Sequence, residues 1–261
     1  ITTLTINNGA SLGSGITNEG NITTLTNNQA NTSITNTQNI GTLDINANTT
    51  YSGDGNITNK IDVESGDTLT IGSGSDTLKF NATNGTITNA GIINGTINNI
   101  KGSSILDFDN SGSITGIINN GHIAEFTNSA SGIIDNFVND YTISFFENNG
   151  VIKDFSGNGI IYGVLNSNEI TGDFENVATS LKNTGIITGN VQLIGNQQNC
   201  GNDICITSDL INEGIITGTF TNTADKEMNA VQNTGVMGGI SNAGNITTIN
   251  TGSITGSIAN S

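Results

Sequence analysis

The sequence predicts an all-β solenoid, a pile of coils built from short strands and tight turns. Three observations carry this: the composition, a recurring apolar/Asn/Gly unit, and the spacing of the glycines. Of 261 residues, 157 are Asn (44), Ile (40), Thr (38) or Gly (35). Ile and Thr are stiff at their first side-chain torsion and fit a pleated surface. All four types are mediocre or poor helix formers, and the good ones are scarce. Polarity alone would point to disorder, but 40 Ile supply too much β-branched apolar surface for a flexible linker.

The repeat reads apolar, any, Asn, any, Gly, any, Ile, followed two or three residues later by another apolar position. It occurs as Ile16-Thr17-Asn18-Glu19-Gly20-Asn21-Ile22, Ile87-Thr88-Asn89-Ala90-Gly91-Ile92-Ile93, Leu181-Lys182-Asn183-Thr184-Gly185-Ile186-Ile187 and Leu210-Ile211-Asn212-Glu213-Gly214-Ile215-Ile216. Further copies run to Ile254. Gly91, Gly112, Gly132 and Gly150 stand 21, 20 and 18 residues apart, and half-steps of 9 separate Gly112 from Gly121 and Gly235 from Gly244. A period of about 18–21 residues with a sub-period near 9 describes one coil of short strands. Strict alternation should point Ile, Leu, Val and Phe inward and Thr, Asn and Ser outward. Asn-x-Gly should provide positive φ where the chain bends. Stacked coils bury one apolar column that no single coil buries alone, each inward Ile contributing about 1.5–3 kcal/mol. Stacked Asn side chains should hydrogen-bond as a ladder. A dozen coils at roughly 4.8 Å each make a rod on the order of 60 Å long.

Six Lys, no Arg and 22 acidic residues leave a formal charge of −16. Such a chain is repelled by nucleic-acid phosphates and by anionic membrane surfaces, so neither is an expected partner. Apolar runs of a few residues are too short to span a bilayer. The sequence does not open on a basic segment followed by an apolar one, so any signal peptide is expected to have been removed.

The I-x-N-x-G-x-I-x-x-[ILF] units, with no Pro and two Cys in 261 residues, resemble the passenger domains of bacterial type V autotransporters. The resemblance covers nearly the whole chain. It implies a right-handed parallel β-helix, a single passenger domain over 1–261, export through the periplasm, and display on the cell surface or secretion. In such proteins a signal peptide precedes the passenger and an outer-membrane barrel follows it. Cys200 and Cys205, with four residues between them, are the only cysteines. A zinc site would need two more ligands nearby, so a local disulfide is favoured, contributing only about 2 kcal/mol for so small a loop. The family's few, closely spaced Cys agree with that. The repeat is most degraded near 136–180 and is broken near 196–209, where insertions are expected.

Candidates for chemistry are few. A Ser-His-Asp triad needs a His base, and His122 is the single His, in a turn copy of the repeat. The Gly-Asp-Ser-Gly motif of protease-bearing family members is absent. Asp107-Phe108-Asp109 places two carboxylates on one side of a strand, roughly 7 Å apart by strand rise, a spacing compatible with an inverting glycosidase or a calcium ion. Glu169, Asp173 and Glu175 form a second acidic group. Residues 72–78 resemble one copy of a calcium-binding nonapeptide, without the tandem copy that binding requires. No cofactor is expected.

Eight of the twelve aromatic residues lie between Phe126 and Phe174. They form either an internal stack or an exposed surface on which rings pack against sugars or protein; Phe137, Tyr141, Phe145, Phe146 and Tyr162 are the residues for the second role. The function expected is adhesion by a non-enzymatic surface rod. It would bind a host surface glycan or protein, or another copy of itself through its polar faces. A carbohydrate-active enzyme is the alternative. Ice binding through Thr-x-Thr units such as Thr3-Leu4-Thr5 and Thr24-Leu25-Thr26, and a toxin role by analogy, rank lower.

Overall fold

The computed structural model describes residues 1–13, 15–72, 77–193, 208–223 and 226–261. Among these residues there are 27 strands and no helix, and the strands pair in parallel into a β-solenoid of about 12 turns, consistent with a parallel β-helix. Each strand pairs with its equivalent one coil later. On the first face, Ser104–Asn110 pairs with His122–Asn128, which pairs with Thr142–Asn148. On the second face, Ser113–Asn119, Ile133–Asn139 and Val151–Ser156 stack likewise.

Like therefore lies on like. Leu43, Ile61, Ile87, Phe108, Phe126 and Phe146 follow one another up the first face and are all essentially inaccessible. Phe137, Phe155 and Phe174 come in from the second face, and the six rings from Phe108 to Phe174 pack with centroids 4.3–5.8 Å apart. The alternation is not strict. In His122–Asn128 the inward residues are Ile123, Phe126 and Asn128, so two consecutive residues face outward mid-strand. The pleat cannot do that without a bend, and the same three-then-two step recurs in Ile133–Asn139 and Thr142–Asn148.

The third inward position holds Asn. On the first face Asn89, Asn110, Asn128, Asn148, Asn166, Asn183, Asn212 and Asn233 are buried. From Asn89 to Asn212 each Nδ2 donates to the Oδ1 of the Asn one coil on, at 2.7–2.8 Å. The second face carries shorter ladders, Asn99–Asn119–Asn139 and Asn222–Asn242–Asn260. All run in the same direction, so the first amide of a ladder has an acceptor facing whatever precedes it. For Asn89 that is Val63 and for Asn222 it is Leu193. These are the two buried side-chain oxygens without a hydrogen-bond partner among the described residues.

The turn glycines play a part other than the expected one. Gly91, Gly112, Gly150, Gly185, Gly214 and Gly235 are not at positive φ. They stack on the carbonyls of the coil below. A Cβ on Gly214 would land on the Gly185 carbonyl oxygen, and one on Gly235 on that of Gly214. The ladder Asn reaches the carbonyl two residues on, as from Asn148 to Gly150 at 3.0 Å. Asn-x-Gly thus joins a side chain that closes the turn to a residue thin enough to be stacked. Left-handed Asn does occur, at Asn31 and Asn84.

The stretch 136–180, where insertions were expected, lies within six strands that continue the parallel stack. Its departures are local register shifts, between Ile152 and Phe155, between Ile161 and Gly163, and between Phe174 and Val177. The pattern fades there because Phe replaces Ile at inward sites, not because the coil breaks. A longer coil does occur further on: Asn183 and Asn212 are ladder neighbours 29 residues apart, against 17–21 for the other links. Its additional residues fall between strands Val191–Leu193 and Ser208–Asn212. Of the loop expected at 196–209, Ser208 and Asp209 already belong to the second of these strands. Cys200 and Cys205 lie outside the described residues.

Replacing Asn148 by Ala removes two ladder bonds and leaves its buried neighbours short of partners, which should cost about 3 kcal/mol. Asn260→Ala, at the exposed end of a ladder, should cost less than about 1 kcal/mol. Urea unfolding of the two variants is the measurement; equal midpoint shifts would mean that the ladder contributes nothing beyond its turns.

Candidate functional site

The carboxylates singled out in the sequence stand on the outer surface of the first face. Asp107 and Asp109 flank the buried ring of Phe108 and point away from it. Asp107 lies between Thr86 and Glu125 in neighbouring coils, and Asp109 between Thr88 and Thr127. Partial burial, and secondly the charge of Asp107, push the Asp109 carboxyl above the usual carboxylate range. Two acids on one strand and a third one coil on give a negative strip. No group of three metal-ligating side chains is present among the described residues. Glu169 and Asp173 do not form a joint site: Glu169 lies on the outside of the second face, paired with Val151 and Ile186, and Asp173 accepts the Asn190 amide at 2.7 Å. The nonapeptide-like stretch, residues 72–78, falls largely outside the described residues.

His122 hydrogen-bonds through Nε2 to Ser144 Oγ at 2.9 Å, on the exposed surface. A serine nucleophile also needs a group orienting the imidazole and donors for an oxyanion. His122 is flanked in its column by Ser104 and Thr142. The pair thus has hydroxyls as neighbours where a triad has its carboxylate.

The aromatic residues divide between the two roles open to them. Phe137 and Phe146, expected as candidates for an exposed surface, are instead fully buried members of the ring stack, because each stands two residues before the end of its strand's inward pattern. Tyr141, Phe145 and Tyr162 are exposed. Tyr141 belongs to a shallow groove with Asn98, Ile100, Lys101, Asn120 and Asp140. Phe145 (42% exposed) and Tyr162 (46%) lie one coil apart on the first face. Phe145 is paired with Glu125 and Gly163, and its ring lies beside Gly163, where there is no side chain in the way. Exposed Leu106 and Ile160 belong to the same face. Phe145 and Phe146 differ only in parity: the residue two before a ladder Asn points in, so Phe146, two before Asn148, is core and Phe145 is not.

The same parity exposes a feature that strict alternation along the sequence hides. In the doublets Ile92-Ile93, Ile133-Ile134, Ile186-Ile187 and Ile215-Ile216 the second Ile is core and the first faces out. The register places these outward residues in one column of the second face, with Ser113, Val151, Glu169 and Val236. The Gly-Ile-Ile doublet was the available signal.

Of the Thr-x-Thr units, Thr3-Leu4-Thr5 does stack on Thr24-Leu25-Thr26, but the next rungs read Thr42-Leu43-Asp44 and Lys60-Ile61-Asp62. Charged side chains interrupt the array within a few coils.

Among known proteins, no family, no curated protein and no solved structure matches this chain.

Because its carboxyl binds a proton more tightly folded than unfolded, Asp109 disfavours the native state at neutral pH and ceases to do so as pH falls through its raised pKa. Asp109→Asn should therefore raise the melting temperature slightly at neutral pH. The gain should vanish in acid, where wild-type Asp109 is itself neutral. Melting curves across a pH series check this; a gain independent of pH would trace to something other than the charge.

Proposed function

We propose that this chain is a non-enzymatic adhesive rod of a bacterial surface protein, binding a surface glycan through the exposed aromatic patch of its first face. The observation that carries the reading is the placement of Phe145 and Tyr162. Six other Phe fill the core beside them, yet these two rings stand on the outside of a sheet that hydrogen bonds hold rigid. A ring held in place loses little entropy when a ligand packs on it. The apolar C–H faces of a sugar suit an aromatic platform, and Asp107 and Glu125 in the adjoining rungs supply acceptors for sugar hydroxyls. The repeating coil adds multivalency, since many weak contacts along one rigid body act together.

The resemblance to autotransporter passengers supports export through the periplasm and display at the surface of a Gram-negative cell, with a host cell as the adhering partner. A net charge of −16 argues against nucleic acid as ligand. Among the described residues no helix is long and apolar enough to cross a membrane. The carboxylate pair supports recognition better than hydrolysis, because Asp107 and Asp109 project side by side from one strand of an open face, whereas an inverting hydrolase needs them flanking a sugar.

A glycan array probed with the purified chain, followed by titration of any hit, tests the proposal. Phe145→Ala and Tyr162→Ala should each weaken binding by about tenfold, the cost of one lost stacking contact with its buried area. Both positions are outward, so the fold should be unaffected. Absence of binding to any glycan, or binding indifferent to both substitutions, would remove the basis of the reading.

A further inference from the structure

The outward column of the second face is unlike the rest of this acidic surface. Ile92, Ile133, Ile186 and Ile215 are 39–48% exposed, and Val151 and Val236 continue their line. From Ile92 to Val236 the column spans eight rungs, broken by Ser113 and Glu169. The outward position two residues on holds mostly Asn and Thr: Asn94, Thr115, Asp135, Lys153, Thr171, Thr188 and Thr217. Asp135 and Lys153 neutralise each other at 2.6 Å. Over these two columns the balance is one negative charge, that of Glu169, out of a chain total of −16.

We propose that this ridge is where two copies of the chain pair, side by side and antiparallel. Charge, periodicity and area each favour a second copy as the occupant. Two rods this acidic repel each other along most approaches, and the ridge is a long surface on which they can meet without bringing acidic columns together. The exposed Ile side chains recur at the rung spacing of roughly 4.8 Å. A surface with the same spacing can interdigitate along the full length, as paired sheets do in a steric zipper, and a second copy has that spacing by construction. Seven rung steps make a ridge about 34 Å long. With a width of about 15 Å it buries on the order of 500 Å² per copy, at the lower limit for a specific interface. The pairing is therefore weak and depends on concentration.

Glu169 sets the orientation. Parallel rods in register would place it against the same glutamate of the other copy. Antiparallel rods, with the twofold axis between the Val151 and Glu169 rungs, place Ile133 against the second copy's Ile186. Glu169 then meets the second copy's Val151, with Lys153 of that copy beside it. The pairing does not rest on the glycan reading, because it uses the other face.

Sedimentation velocity of the whole chain over a wide concentration series tests the proposal. The wild type should shift from monomer to dimer as concentration rises. Ile133→Lys with Ile186→Lys should raise the dissociation constant by more than about tenfold, while Phe145→Ala with Tyr162→Ala should leave it unchanged. Circular dichroism checks the fold. If the lysine variant is misfolded, Ile133→Ser with Ile186→Ser replaces it, since Ser113 already occupies this column. Glu169→Gln should weaken the dimer, because it removes the attraction to the second copy's Lys153; a tighter dimer would mean parallel rods, where the substitution relieves glutamate facing glutamate, and would overturn the arrangement. A wild type that stays monomeric throughout, or a ridge variant that dimerises normally, would overturn the pairing itself. Either result leaves glycan binding through the aromatic patch to stand or fall separately.

Discussion

A carboxamide buried in a dry core needs partners for its donors and its acceptor, and here the partner is the same carboxamide one coil away. The links of 2.7–2.8 Å that join Asn89 to Asn233 form only if successive coils are in register and at one spacing. A slip of one residue would bury side chains such as Asp109, Glu147 and Lys182 in place of Asn110, Asn148 and Asn183, and turn every Phe and Ile of the column outward. An orphaned buried amide costs about 1–3 kcal/mol, so a slipped coil is penalised on both counts. Register is thus specified by polar groups as firmly as by apolar ones. Where the first ladder stops, Val63 and Ile45 take the place of the Asn in the next two rungs.

Close stacking also explains what the turns must be made of. With strands about 4.8 Å apart, a turn that brings its Cα over a carbonyl of the coil below leaves no space for a side chain, and glycine results. That requirement looks the same in sequence as a requirement for positive φ, which is why Asn-x-Gly was legible as a turn but not for its cause. The coil period was legible because Gly and Asn recur with the stack. The aromatic stretch was not, because Phe and Gly replace Ile and Asn there while the coils go on stacking. Gly157 sits on the Asn139 backbone where another ladder Asn would stand, and Phe155 continues the column of Ile117 and Phe137.

The surfaces were the least legible part, for a physical reason. Strict alternation fails mid-strand, where two consecutive residues face outward. Counting by twos from the first Ile of a strand therefore assigns the wrong face to later residues. Counting backwards from the ladder Asn gives the right one: two residues back is core, as at Phe108, Phe126, Phe137 and Phe146, and five back is core, as at Ile105, Ile123 and Ile134. On that count Phe145 and Ile133 fall outside. The shared outward side of Asp107 and Asp109 was legible because Phe108 between them fixes their parity locally.

Once the interior is committed to one repeated pattern, the outward positions carry little of the folding information and are free to differ from coil to coil. The two faces show that freedom in different ways. The first face changes along its length, from Thr rungs to Asp and Glu and then to Phe145 and Tyr162, as a localised recognition patch requires. The second keeps an aliphatic residue in most rungs from Ile92 to Val236, which suits a contact that runs along the rod. Exposed aliphatic surface carries a risk of unspecific aggregation, and the chain limits it by confining the ridge to one column and interrupting it with Ser113 and Glu169. The same interruptions give the ridge a direction, and a direction is what distinguishes a paired assembly from a sticky surface.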